Sequence, residues 1–176
     1  MKEVRLYFEG DSALRSGFRE FFSGRTPIRL VATNGTPIQD YEDGIRSHRD
    51  AVNLLLLDSD DLPERRLRLS AWPADLVFWR IRLMESWFLA DKESLKRFYQ
   101  RDFNEAALPP ARNVETIPKR DVEYGLKEFS RRTQKGPYHK TKHAPAILAL
   151  IDSSLVRSAA ADCDRLFQVL ESLAEG

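Results

Sequence analysis

The chain has 176 residues, with 28 lysines and arginines against 27 aspartates and glutamates, a formal net charge of +1. That length suits one domain with at most a small appendage, and a chain of this size buries roughly 70% of its unfolded surface. Near-neutrality excludes nucleic-acid binding by bulk charge, so any such surface must come from segregated charge, and the single cysteine, Cys163, excludes an intramolecular disulfide and a multi-cysteine zinc site. One thiol suits a reducing cytoplasm. The opening run M-K-E-V-R-L-Y-F-E-G carries charges within its apolar stretch and does not read as a signal peptide. No apolar run approaches the roughly 18–20 residues that span a bilayer. The expectation is a cytoplasmic protein with no membrane segment.

Residues 4–8 read as a first strand that ends on Glu9-Gly10, where the glycine permits a tight turn and close approach of a ligand. Asp11 or Ser12 then caps an amphipathic helix bearing Leu14, Phe18, Phe21 and Phe22. Ile28–Thr33 is a second strand, Asn34-Gly35 a turn, and Pro37 fits the first turn of a helix reaching about residue 49. Residues 51–57 form the third strand, and its four leucines, Leu54 to Leu57, mark a strand buried on both faces. The pattern to this point is β-α-β-α-β, which predicts a parallel sheet flanked by helices with right-handed crossovers. Residues 63–72 read as a basic connector and residues 76–84 as a fourth strand. Trp87, Phe88, Leu95 and Phe98 have helical spacing, with Asp91 as an N-cap.

Residues 104–118, rich in Pro and Asn, read as a loop, and 121–131 as a helix capped by Asp121. Gly136-Pro137 then breaks any helix. From 127 to 143 the segment holds Lys127, Arg131, Arg132, Lys135, Lys140 and Lys142 against one acid, Glu128, together with His139 and His143. Such a stretch suits phosphate contact, although most charge runs are only solvated faces. Residues 144–151 and 163–173 read as two C-terminal helices. The organisation expected is an α/β core over residues 1–100 and a loop-plus-helix extension over 101–176, packed on the same domain.

The third strand stops at Asp58, Asp60 and Asp61. Three carboxylates at one strand end repel one another and require a cation or a set of donors, and the carboxyl ends of strands are where open α/β sheets place ligands. Asp58 and Asp60 are therefore candidate ligands of a divalent metal; a helix cap or an Asx turn accounts for the same acids. Glu9 is placed at the same edge by the first strand. Glu85 follows the fourth strand and shares that edge in this reading, while a solvated carboxylate at a helix start explains it as well.

Glu9-Gly10 after one strand and Asp58-Ser59-Asp60 after a later one resemble the signature of the Toprim domain, shared by topoisomerases, primases and OLD-family nucleases. The whole chain is more specifically similar to a bacterial Toprim-related family of unknown function. That resemblance rests on Y-F-E-G-D near the start, L-L-D-S after strand three, M-E-S-W-F-L-A-D at 84–91 and T-Q-K-G-P-Y-H-K-T-K-H at 133–143. One departure is that Leu62 and Pro63 follow Asp61, where many Toprim domains have a glycine, so Asp61 is a candidate to share the role of Asp60. The resemblance implies a Rossmann-like Toprim fold: a mostly parallel sheet of about four strands flanked by helices, with a helical C-terminal extension.

It also implies Mg²⁺- or Mn²⁺-dependent phosphodiester hydrolysis on DNA or RNA. Asp58 and Asp60 would hold the metal, Glu9 would be a ligand or a general base or acid, and Glu85 and Asp91 would be second-metal ligands. Lys140 would be the cation for the developing charge, by analogy with a sequence-distal lysine in OLD-type nucleases, with a salt bridge as the alternative for it. Arg15, Lys135, Tyr138 and His143 would contact the nucleic-acid backbone. An ABC-type ATPase partner and a role in defence against foreign nucleic acid follow by the same analogy. A non-catalytic nucleic-acid-binding or scaffold subunit is the alternative from another class. A receiver domain phosphorylated at Asp58 is a third, and it lacks the expected acid beside Glu9.

Overall fold

A computed structural model of the chain describes residues 2–24, 27–33, 35–59, 64, 67, 69–73, 76–80, 83–110 and 112–175, with Trp79 and Arg80 described by their backbone alone. Four strands, β1 (Val4–Glu9), β2 (Ile28–Thr33), β3 (Val52–Asp58) and β4 (Val77–Arg80), pair in the order β2-β1-β3-β4, every pair parallel. The connections are helical: α1 (Leu14–Phe21) joins β1 to β2, and α2 (Pro37–Ser47) joins β2 to β3. The fold is the mixed α/β, Rossmann-like arrangement that the element order predicts.

The leucine run explains the layering. Leu54 and Leu56 point into a core shared with Leu6, Phe8, Phe18, Phe21 and Phe78, and Leu55 and Leu57 point into a second one with Tyr7, Ile38, Tyr41 and Val77. All four are fully buried, because alternate residues on a strand face opposite sides of the sheet. Each such side chain contributes about 1.5–3 kcal/mol relative to an exposed one. Two glycines set how closely the helices approach. A Cβ on Gly17 of α1 would stand 2.5 Å from the Pro145 carbonyl oxygen, and one on Gly44 of α2 would stand 2.1 Å from the Tyr7 hydroxyl.

After β4 the chain tightens into a 3₁₀ turn, Met84–Ala90, followed by α3 (Lys92–Tyr99). The expected strand over 76–84 is therefore shorter than its alternation suggested. Met84 and Trp87 lie three residues apart, the spacing at which 3₁₀ side chains stack, and both are buried. Two short 3₁₀ turns, Glu105–Ala107 and Val114–Thr116, punctuate the 104–118 loop. Next come α4 (Lys119–Ser130), α5 (Lys140–Leu150), α6 (Ser153–Ala159) and α7 (Ala161–Glu175).

Several boundaries differ from expectation for identifiable reasons. Asp121 lies in the first turn of α4 and does not cap it, since the helix begins directly after Pro118. Asp11 accepts a hydrogen bond from the Ala13 N–H at 2.7 Å, but α1 itself begins at Leu14 with no side-chain cap. Pro145 favours a helix start near 144, yet α5 begins at Lys140 and carries the proline inside; Lys140, Lys142 and His143 are thus helical. The unexpected α6 is capped by Asp152, which accepts from the Ser154 N–H at 2.8 Å.

The C-terminal helices are docked by arginines. Arg165 of α7 donates to the Val77 carbonyl at 2.8 Å and lies over the Phe78 ring, covering the outer side of β4, an edge strand that otherwise invites pairing. Arg157 of α6 pairs with Asp164 and Glu171 of α7. Cys163 is fully buried, and burial pushes its thiol pKa well up, which suits packing and not nucleophilic chemistry. Among the described residues no helix is long and apolar enough to cross a membrane.

Candidate functional site

The strand order creates a switch point. From β1 the chain crosses to β2 on one side and returns to β3 on the other, and ligands of open α/β sheets bind beyond the carboxyl ends of the strands at such a point. Glu9 and Asp58 are the terminal residues of those two adjacent strands. Glu9 Oε2 accepts a hydrogen bond from the Asp58 backbone N–H at 3.0 Å, which locks the two ends together. Gly10, at φ +142°, carries the chain out of β1 in a conformation that other residues rarely adopt.

A cavity of about 470 Å³ opens here, lined by Glu9, Gly10, Asp58 and Glu85 together with residues of α4, of α5 and of the segment before α5. Glu85 comes from the 3₁₀ turn after β4 and is 3% exposed. Its Oε1 accepts from the Tyr138 hydroxyl at 3.0 Å and pairs with Lys140 Nζ at 3.4 Å. Its Oε2 is buried and has no hydrogen-bond partner among the described residues. Burial, and then the nearby Glu85 charge, push the Tyr138 hydroxyl pKa far up, so the phenol stays protonated and remains a donor to Glu85. The Lys140–Glu85 ion pair is the alternative that the sequence left open for that lysine.

The opposite wall is cationic. Lys119, Glu123 and Lys127 line the cavity from α4, and their i, i+4, i+8 spacing places them on one helix face. Lys119 is the first residue of α4 and Lys140 the first of α5, so two helix N-termini border the cavity with their positive dipole ends. The buried acids, Asp58 and Glu85, thus sit among exposed lysines.

The other sequence-derived residues are dispersed. Tyr138 is buried: its backbone N–H donates to Ser130 Oγ at 2.7 Å while its hydroxyl reaches Glu85. His143 is 8% exposed and faces inward, where its Nδ1 accepts the His139 backbone N–H at 3.1 Å and lies 3.1 Å from the Tyr99 hydroxyl. Lys135 lies over the Phe98 ring at 5.0 Å, and Arg15 opens onto a different cavity between α1 and β2. Asp91 does not line the cavity. Its oxygens accept from the Ser94 N–H at 3.0 Å, the Ser94 hydroxyl at 2.5 Å and the Asp152 N–H at 2.9 Å. Asp60 and Asp61 lie outside the described residues. Lys119 and Glu123 are not among the sequence-derived residues: the expected helix begins at 121, which leaves Lys119 outside it, and nothing in their spacing points to the strand ends.

Burial, and then the positive charges of His139, Lys135 and Lys142, hold the His143 pKa below its ordinary 6.5. Folded His143 is therefore neutral where the unfolded chain already takes up a proton. As pH falls below about 6.5 the unfolded state binds more protons and stability declines, until the pH passes the folded pKa. Urea unfolding between pH 7 and 5 is expected to show this decline, and His143→Asn, which keeps an acceptor and does not titrate, is expected to make it shallower.

Among the described residues no group of three or more His, Cys, Asp or Glu side chains is arranged to hold a metal ion. Mg²⁺ favours carboxylate oxygens but keeps several waters and needs only one or two protein carboxylates. Glu9, Asp58 and Glu85 are carboxylates of this edge, and the buried Oε2 of Glu85 is an oxygen without a donor among the described residues, which is costly until a cation or water reaches it.

No curated protein and no solved structure matches the chain. One family model does, over residues 38–171, a span that takes in Asp58, Glu85, Lys119, Lys127, Tyr138 and Lys140 and leaves Glu9 before it. That span is most of the molecule, and the chain belongs to the family described as the domain of unknown function DUF4276.

Proposed function

We propose that this chain is a Toprim-like, Mg²⁺- or Mn²⁺-dependent nuclease that hydrolyses phosphodiesters in DNA or RNA at the cavity above β1 and β3. The observation that carries the reading is the convergence of Glu9, Asp58 and Glu85 with Lys119, Lys127 and Lys140 around one cavity at the switch point. Acids that suit a hard cation, next to lysines and helix N-termini that suit phosphate, are the pairing that phosphoryl chemistry needs.

In this proposal Asp58 would hold the metal with Glu85 or with Asp60, two residues on in the sequence. A bound divalent ion supplies a polarised phosphoryl oxygen and an acidified water. Glu9 would take the proton of the attacking water, from a position fixed by its hydrogen bond to the Asp58 N–H, while the bond from phosphorus to the leaving strand oxygen breaks and that oxygen takes a proton from solvent. Lys140, held beside Glu85, faces the negative charge that develops on the phosphoryl oxygens. Tyr138 keeps Glu85 in place through its hydroxyl. Lys119 and Lys127 hold the flanking phosphates as point charges. The same proposal extends to an ABC-type ATPase partner and a defence role, which co-purification would test.

A second reading, a non-catalytic nucleic-acid-binding or scaffold subunit, draws on the lack of a three-ligand metal group among the described residues and on the pairing of Lys140 with Glu85. Cleavage of labelled single- and double-stranded DNA and RNA, with Mg²⁺, with Mn²⁺ and with EDTA, separates the two. Metal-dependent cleavage supports the nuclease; binding without cleavage in any metal supports the scaffold.

A further inference from the structure

The face of α4 that turns away from the core holds an aromatic ring that the fold does not use. Tyr124 is 66% exposed and makes no hydrogen bond, ion pair or ring contact among the described residues. The helix buries Val122, Leu126 and Phe129 on one side, and its periodicity places Arg120, Tyr124, Lys127 and Arg131 together on the other. Arg120 and Arg131 are loosely held, by Asp121 at 3.4 Å and Glu128 at 3.1 Å, in pairs with exposed cations. Lys127 belongs to both faces, since it also lines the cavity with Lys119 and Glu123. Three cations, two of them paired with Asp121 and Glu128, thus flank one exposed aromatic ring, and Lys127 joins this face to the cavity.

We propose that this face is a track for single-stranded nucleic acid, with one base stacked on Tyr124 and the adjoining backbone passed by Lys127 to the cavity. The inference rests on the nuclease reading for what happens in the cavity, and it narrows the substrate class of that site. A base can stack on an exposed ring only if it is not already stacked within a duplex, whereas lysines and arginines alone attract either form. The phenol face is sequence-tolerant, because every base has a π-face. The preference expected is for single strand over duplex, with little choice of base.

The test is fluorescence anisotropy in EDTA, so that binding is read without cleavage, using an end-labelled oligothymidylate of about twelve nucleotides and a duplex of the same length. Wild type is expected to bind the single strand more tightly than the duplex. Tyr124→Ala is expected to weaken single-strand binding by about 5- to 100-fold and to leave duplex binding unchanged. Tyr124→Phe, which keeps the ring, is expected to restore the wild-type value. Equal binding of the two probes by wild type, or single-strand binding unaltered in Tyr124→Ala, overturns the proposal. Failure here is separable from failure of the nuclease reading. Tyr124-dependent binding without cleavage in Mg²⁺ or Mn²⁺ overturns the nuclease and supports the track, and cleavage indifferent to Tyr124→Ala does the reverse.

Discussion

Glu9→Gln is expected to reduce metal-dependent cleavage by about 10²–10⁴-fold, the range associated with loss of a positioned general base. The substitution is nearly isosteric. A glutamine side-chain oxygen accepts the Asp58 N–H that Glu9 Oε2 accepts at 3.0 Å, so the joined ends of β1 and β3 are expected to keep their geometry. Glu9 is also only partly buried, and a conservative change at such a position usually stays within about 0.5 kcal/mol of wild-type stability. Activity and stability are therefore expected to separate: single-turnover cleavage falls and the thermal unfolding midpoint stays. Unchanged cleavage in Glu9→Gln would remove Glu9 from the chemistry.

Lys140→Ala carries the next largest expected effect, a loss of about 10²–10³-fold in turnover, comparable to removing a donor that faces the developing charge. A structural explanation competes with this one, since Lys140 pairs with the buried Glu85 at 3.4 Å. If the lysine served only to neutralise Glu85, removing it would cost nothing further once Glu85 is already neutral. The double variant Lys140→Ala/Glu85→Gln decides between them. Measured against Glu85→Gln alone, since Glu85 is itself a proposed metal ligand, a further loss in the double variant places Lys140 at the phosphoryl group, and no further loss assigns it to Glu85. Tyr138 serves as a control, because its hydroxyl holds the same Glu85 oxygen at 3.0 Å without bringing a charge.

Local pattern made some of this arrangement legible. Leu54 to Leu57 can only form a strand covered on both faces, and they do so by alternating between the two cores. Once a β-α-β-α-β order is read, right-handed crossovers place the ends of β1 and β3 on one edge, so Glu9 and Asp58 meet for topological reasons. Glu85 followed from the same logic despite the shorter fourth strand. The cationic wall was not legible. Lys119 and Lys127 reach the cavity because α4 packs against the 3₁₀ turn that carries Glu85, a tertiary fact that no spacing encodes. The basic segment at 127–143 misled for a related reason. Its charge suggests phosphate contact by a loop, with a solvated face as the alternative, whereas the Tyr138 and His143 side chains turn inward to Glu85 and Tyr99, partners 53 and 44 residues away in sequence. The cap of α6 is present in Asp152-Ser153-Ser154, but the expected helices end at 151 and begin again at 163, which leaves this stretch unassigned.

The central claim is that the edge formed by Glu9 and Asp58 holds a divalent cation, and Mn²⁺ titration followed by the EPR signal of the free ion tests it without relying on activity. Wild type is expected to remove Mn²⁺ from the free pool, excess Mg²⁺ to return it, and Asp58→Asn to weaken binding by at least about tenfold. Wild type that leaves the free signal untouched, or Asp58→Asn that binds Mn²⁺ as wild type does, would contradict that claim.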